Sequence, residues 1–471
     1  MAGGTRSVAA IAGASLFGAA ARAADQPRPH ILYIVADDLG FADVGFRGSD
    51  IRTPNIDRIA ATGAKLNQFY VQPMCTPTRA ALMTGRYPLR YGLQTGVIPS
   101  GASYGLSVDE FLLPQALKTA AYRTALVGKW HLGHADRAFW PRQRGFDSFY
   151  GPLVGEIDHF KHEAHGVTDW YRDNTLVKEE GYDTELFGAE AVRLIKEHEA
   201  KTPLFLYLAF TSPHTPFQAP QRYIDMYAGV ADPSRRLYAA MITAMDEQIG
   251  KVVEALEARG MWDNTLIVFH SDNGGTRNKT FAGEGAVSGE LPASNAPLRG
   301  GKGSLYEGGT RVVALANWPG RIAAGQADGV MHVVDMLPTL AGLAGADLSR
   351  AKPLDGKNAW PALSAGKPGR EEVVYNVEPM QGAVRDGRWK LYWHAVLPPK
   401  LELFDLDADP GEKTDLSAQQ PEKVAELQKK ITALASAMAP PLFFVAALKA
   451  TLSAPLSTPG EALYEMGLDD D

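Results

Sequence analysis

Cys75 is the one cysteine in 471 residues, and it heads the run Cys75-Thr76-Pro77-Thr78-Arg79-Ala80-Ala81-Leu82-Met83-Thr84-Gly85-Arg86. A lone thiol forms no internal disulfide, so it is a packed small hydrophobe, a metal ligand or a reactive group. Its neighbours favour the last. Pro77 suits the first turn of a helix, with Thr76 or Cys75 as the cap, and Ala-Ala-Leu-Met continues it. Position 75 then lies at a helix N-terminus, where free backbone N–H groups and the dipole attract an anion. Arg79, one turn on, adds a fixed positive charge.

A second set of residues offers hard oxygen donors. Asp37 and Asp38 follow the apolar run Ile31 to Val35, and Asp272 and Asn273 follow Leu266 to Phe269. Carboxylates and an amide suit Ca²⁺ or Mg²⁺ better than zinc. A third set is basic: Lys129 and His131 in Gly-Lys-Trp-His-Leu-Gly, His214 in Ser-Pro-His-Thr-Pro, and Lys302 in Leu-Arg-Gly-Gly-Lys. Taken singly, each Asp reads as a cap or turn residue, each lysine as a solvated charge and each histidine as a structural one. Their placement argues otherwise. Ile31 to Val35, Leu204 to Phe210 and Leu266 to Phe269 read as buried parallel strands, and each runs straight into a polar motif. In open α/β sheets functional residues collect at the carboxyl ends of strands.

Between these strands, Leu237 to Arg259 carries Met241, Met245, Ile249, Val252 and Leu256 at helical spacing and stops at Gly260. Gly274 to Gly309 is Gly-rich and aperiodic, a long loop of the kind that is often functional. Linker-like composition at 364–369 separates a first domain, 24–368, from a C-terminal subdomain, 369–471. There Val373 to Val377, Gly387 to Trp393 and Leu401 to Leu406 read as strands and Pro421 to about Ala435 as a helix. Leu442 to Leu448 is apolar but too short to span a bilayer, and is expected to pack on the protein.

The net charge of −7 gives no basis for nucleic-acid binding. An acidic protein acting on an anion needs locally concentrated positive charge, which Arg79, Lys129, His131, His214 and Lys302 supply. Residues 1–23 read as a secretory signal: Arg6, the apolar stretch Val8 to Ala20, then Ala21-Arg22-Ala23 as a cleavage site. A periplasmic or secreted protein with no membrane span is expected.

Taken in order, Ala36-Asp37-Asp38-Leu39-Gly40, Cys75-x-Pro-x-Arg79 with Thr84-Gly85-Arg86, Gly128 to Gly133, Ser212 to Pro216, Ser271 to Gly275, Pro297 to Lys302 and Glu307-Gly-Gly-Thr-Arg311 resemble the type I sulfatases, formylglycine-dependent members of the alkaline phosphatase superfamily. Within them the chain is most similar to the arylsulfatase B-like branch. The resemblance implies an α/β fold with a large, mixed, mostly parallel sheet flanked by helices, and a small C-terminal α+β subdomain containing an antiparallel sheet. It implies that a maturation enzyme oxidises Cys75 to formylglycine. It further implies that Asp37, Asp38, Asp272 and Asn273 hold Ca²⁺, with Mg²⁺ the alternative, together with the residue-75 oxygen.

A hydrated aldehyde has two hydroxyls on one carbon: one attacks sulfur and the other, once deprotonated, expels sulfate. On this reading Arg79 orients the nucleophile, Asp272 accepts its proton, and Lys129 and Lys302 bind sulfuryl oxygens. His214 protonates the leaving oxygen, Lys302 sharing that role, and His131 deprotonates the second hydroxyl. His159, in Gly155 to His165, is expected to touch substrate, and that loop reads as substrate contact or plain surface and not as a metal site. Glu307 to Arg311 reads as a structural turn into the strand Val312 to Ala316. The expected substrate is a sulfated carbohydrate or aryl sulfate, with an N-acetylgalactosamine sulfate suggested by the branch. The competing readings are a phosphonate or phosphate ester hydrolase on the same scaffold and a glycan-binding pseudoenzyme.

Overall fold

The computed structural model describes residues 28–281, 290–395 and 398–453. The expected signal segment, 1–23, and part of the Gly274 to Gly309 loop lie outside the described residues. The centre is a ten-stranded sheet ordered Gly325–Ala327, Ala64–Leu66, Ala314–Asn317, Thr265–Ser271, His30–Ala36, Leu204–Ala209, Arg123–Gly128, Ser148–Gly151, Tyr171–Arg172, Thr175–Leu176. The five strands from Thr265–Ser271 to Ser148–Gly151 run parallel, and Ala314–Asn317 is antiparallel to both its neighbours.

The strand His30–Ala36 is buried along its whole length because both faces are covered. Ile31, Tyr33 and Val35 join one apolar core, and Leu32, Ile34 and Ala36 join the core on the opposite face. Full burial is worth about 1.5–3 kcal/mol per large apolar side chain. Helices Asp183–Glu197 and Pro233–Ala258 cover the second face. The latter starts four residues before its predicted beginning, because the Asp232 side chain accepts the Ser234 N–H and Pro233 takes the first position.

A separate four-stranded antiparallel sheet is built from Glu372–Val377, Gln381–Asp386, Trp389–His394 and Lys400–Asp405. The strand Gln381–Asp386 was not legible, since a glutamine and an aspartate frame only four other residues. The expected helix forms as Pro421–Ser436 and packs on this sheet. The apolar tail forms a helix, Leu442–Ser453, anchored at its start by the Leu442 N–H on the Gly92 carbonyl. Its far end does not pack: Leu448 and Leu452 are exposed. Among the described residues no helix is long and apolar enough to cross a membrane.

Glu307–Thr310 is a single helical turn, the structural turn expected, and the strand after it begins at Ala314, two residues later than expected. Glu307 is fully buried there, bonded by Tyr70 and Tyr375 and ion-paired with Lys390 of the antiparallel sheet. Gly274 fits against this turn for want of a side chain: a Cβ there would stand 1.7 Å from the Gly308 carbonyl oxygen.

Candidate active site

Four adjacent parallel strands deliver polar residues at their carboxyl ends. His30–Ala36 leads into Asp37 and Asp38, Thr265–Ser271 into Asp272 and Asn273, Leu204–Ala209 into the loop of His214, and Arg123–Gly128 into Lys129 and His131. The fourth strand escaped the sequence reading because it opens on Arg-Thr and holds only a short apolar run. Asp38 and His131 adopt left-handed backbone, φ 64° and 58°, a conformation uncommon outside glycine and concentrated at functional sites.

Cys75 stands at the mouth of these strands as the first residue of helix Cys75–Thr84. The expected cap is corrected: Met74 takes the N-cap position and contributes no side-chain bond. Every residue of this helix is buried, so it runs through the core as a rigid mount. The thiol lies 3.4 Å from Asp37 Oδ1. Burial, then the charges of Asp272 and Asp37, push its pKa well above the usual thiol value. An unconverted Cys75 is therefore a protonated thiol and a poor nucleophile. The helix end and Arg79 do not reverse this, because Arg79 spends its charge on the carboxylates.

Arg79 donates from Nε and Nη2 to Asp272 Oδ2 at 3.1 and 2.8 Å, and from Nη1 to the Lys129 carbonyl at 3.1 Å. Lys129 Nζ donates to Asp37 Oδ2 at 2.5 Å. Lys302 Nζ donates to Asp38 Oδ2 at 2.8 Å and lies 3.3 Å from His214 Nε2. Three carboxylates thus face three cations, all of them buried. Burial raises the Asp38 pKa, but the Lys302 and His214 charges outweigh it and hold it well below the carboxylate range. Asp272 moves the other way, pushed up by burial and by Asp37 against Arg79. Lys302 is held above the usual lysine value, Asp38 outweighing burial. His214 is lowered to about 4 by burial and the Lys302 charge, so at neutral pH its Nε2 accepts from the lysine.

The cluster could hold a metal ion. One ligand atom from each of Asp37, Asp38, Cys75 and His214 lies within 4.8 Å of the others. Asn273 Nδ2 donates to Asp38 Oδ1 at 2.7 Å, which leaves its buried Oδ1 without a partner. Asp272 Oδ1 accepts the Asp38 N–H at 3.3 Å and closes the group. Thr276, unforeseen from sequence, donates its hydroxyl to Asp38 Oδ2 at 2.7 Å; only its adjacency to the Asp272 to Gly275 motif flags it.

His131 shares the site. Its Nε2 lies 3.1 Å from the Ile98 carbonyl, and its buried Nδ1 has no partner. Burial and the charges of Lys129 and Arg79 push its pKa well below the usual histidine value. Gly155 packs over the ring, where a Cβ would come within 2.2 Å of Cε1. His159 corrects its expectation. It is buried, with both ring nitrogens engaged by Asp183 and the His214 carbonyl, so it presents no atom to a substrate. His162 is not surface either; it is buried and stacked on Trp170 with ring centroids 4.1 Å apart. A cavity of about 730 Å³ opens beside Lys302, lined in part by Arg277, Phe281, Tyr306, Gln381 and Tyr392.

The Sulfatase family profile matches residues 29–346, and the chain belongs to that family of sulfuric ester hydrolases. Mouse arylsulfatase J is 34% identical over 86% of this chain and 75% of its own length. Human N-acetylgalactosamine-6-sulfatase is 35% identical over 74% of this chain and 68% of its own. Among solved structures, that of Ps i-CgsB in complex with k-i-k-neocarrahexaose superposes with a TM-score of 0.79 at 35% identity, covering 88% of this chain and 94% of the other.

Proposed function

We propose that this protein hydrolyses sulfate monoesters of carbohydrates, releasing the alcohol and inorganic sulfate. The observation that carries this is the balanced, buried ring of Asp37, Asp38 and Asp272 against Arg79, Lys129 and Lys302 around Cys75. Asp37, Asp38, Asp272 and Asn273 would hold Ca²⁺, with Mg²⁺ the alternative; a dication held there would supply charge neutralisation for sulfuryl oxygens and would acidify an adjoining hydroxyl. Conversion of Cys75 to formylglycine would supply two hydroxyls on one carbon, one nucleophilic toward sulfur and the other able, once deprotonated, to release sulfate.

The chain's own groups do the rest. Lys129 and Lys302 are fixed point charges for the sulfuryl oxygens, pre-organised by Asp37 and Asp38. Asp272, whose pKa is raised, is the stronger base among the carboxylates and accepts the proton of the attacking hydroxyl. Lys302 holds the proton that its Nζ directs at His214 Nε2 across 3.3 Å, and the pair delivers it to the leaving oxygen. His131, held neutral with an unpartnered Nδ1, takes the proton of the second hydroxyl.

The cavity beside Lys302, with Phe281, Tyr306 and Tyr392 in its wall, suits a sugar ring's apolar face. The glycan in the Ps i-CgsB complex and the sugar in the name of N-acetylgalactosamine-6-sulfatase support a carbohydrate over a simple aryl alcohol. Signal-directed export to the periplasm or medium and a dedicated maturation enzyme belong to the same proposal. Every position the chemistry needs is filled, which weighs against a binding-only protein. Turnover of a sulfate ester and its phosphate analogue tests the reading: sulfate should be preferred by orders of magnitude, and preference for phosphate would overturn it.

A further inference from the structure

The turn that carries His159 meets the backbone of the His214 loop. His159 Nδ1 lies 2.8 Å from Asp183 Oδ2, and Nε2 lies 3.1 Å from the backbone oxygen of His214. A carbonyl oxygen has no proton to give, so Nε2 must carry one. Asp183 acts as an acceptor throughout: Oδ2 takes the Thr211 hydroxyl at 2.5 Å, and Oδ1 takes the Thr184 N–H at 2.5 Å. The ring therefore donates from both nitrogens, an imidazolium against a carboxylate, and both are at most 1% exposed. Burial opposes that charge, but Asp183 outweighs it and raises the His159 pKa; His159 in turn holds Asp183 low against burial.

The pair grips one loop at two points. Asp183 holds the Thr211 side chain and His159 holds the His214 backbone, three residues on. It also ties that loop to helix Asp183–Glu197 and holds it at a third point, Gln218. The Asp183 N–H donates to the His159 carbonyl at 2.9 Å at the start of helix Asp183–Glu197, and the His159 N–H donates to Gln218 Oε1 at 2.8 Å. With its backbone pinned and its Nδ1 2.6 Å from the Thr215 carbonyl, the His214 ring has only Nε2 left to present to Lys302 and the site. We infer that His159 and Asp183 are a positioning pair for the leaving-group proton donor, fixing His214 without touching substrate. This rests on the reading of His214 as a member of the Lys302–His214 donor pair.

The test uses the mature enzyme on phenyl sulfate, whose leaving group needs a proton, and on 4-nitrophenyl sulfate, whose leaving group needs it far less. His214→Ala should slow the first much more than the second. His159→Asn and Asp183→Asn should show the same selectivity in weaker form, roughly tenfold in kcat on phenyl sulfate with KM unchanged, because a small misplacement of a catalytic group costs one to two orders of magnitude. In the His159→Asn/His214→Ala double variant the first substitution should add nothing further. Independent, multiplying effects, a rise in KM alone, or an unchanged phenyl sulfate rate in His159→Asn would each overturn the inference. If His214→Ala itself ignores the leaving group, the donor reading fails, and with it the task assigned to the pair. Should the variants not fold, histidine ¹⁵N spectra of the wild-type protein decide: a protonated His159 Nε2 supports the pair, and a bare Nε2 overturns it.

Discussion

Lys129 Nζ lies 2.5 Å from Asp37 Oδ2, and neither side chain reaches solvent. Removing one partner of a buried pair leaves an uncompensated charge and costs about 3–5 kcal/mol. Lys129→Ala should therefore lower stability by that order and abolish most turnover, since a sulfuryl ligand is lost as well. A dication beside Asp37 would replace part of the missing charge. Denaturation of the variant with and without Ca²⁺ checks this: the stability deficit should shrink when Ca²⁺ is added, and an equal deficit in both would remove Asp37 from the ligand set.

Metal removal should reach both activity and stability. A dication held by the native site alone stabilises it by about 2.7 kcal/mol at a hundredfold excess over its Kd. Chelation should lower the unfolding temperature and stop turnover, and Ca²⁺ or Mg²⁺ should restore both. Thermal unfolding with each metal, followed by an ester assay, would show it. Restoration by zinc alone would contradict the oxygen-donor argument.

The ends of strands were the most legible part of the site. Ile31 to Val35 and Leu266 to Phe269 are continuous apolar runs that break into Asp or Asn, and the structure puts those residues together. Lys129 and His131 were read from their motif, because Arg123–Gly128 is too polar at its start to announce a strand. His159 was misread because its burial depends on Asp183, Thr211 and His214, partners that no local pattern connects to it. Periodicity reports which face of an element is apolar; it does not report which distant acceptor will meet a ring nitrogen.

Several histidines are buried neutral, and this sets a pH dependence of folding. His270 is lowered to about 4 by burial, its Nδ1 2.7 Å from the Ser271 carbonyl and its Nε2 2.9 Å from the Tyr33 hydroxyl. His332 is likewise pushed well below the usual value by burial and Arg370. Below pH 6.5 the unfolded chain takes up protons that the folded chain does not, so stability falls as pH drops from 6.5 toward 4. For His270 alone that is about 3 kcal/mol over the window, at ~1.4 kcal/mol per pH unit. His270→Gln should flatten the profile by about that amount between pH 6.5 and 4, measured by urea unfolding. An unchanged slope would mean that the histidine protonates in place.

A buried lysine ties the antiparallel sheet to the Glu307–Thr310 turn. Lys390 Nζ lies 3.1 Å from Glu307 Oε1 and 2.8 Å from Glu412 Oε1, with all three side chains closed to solvent. Glu412 is pushed up to about 7 by burial, against Lys390. Lys390→Met should cost about 3–5 kcal/mol by leaving two carboxylates to face each other. It touches no substrate, so kcat measured well below the unfolding temperature should stay near the wild-type value. A loss of kcat without a loss of stability would assign Lys390 a place in the chemistry.

Cys75→Ala removes one small buried group and should leave the fold intact while turnover disappears. Mass spectrometry of the peptide spanning residue 75, taken from active enzyme made in a host that carries the maturation machinery, goes to the heart of the matter. The expected result is the aldehyde form, its fraction rising in step with specific activity across preparations. Full sulfate ester turnover by protein whose residue 75 is an unmodified thiol would contradict it.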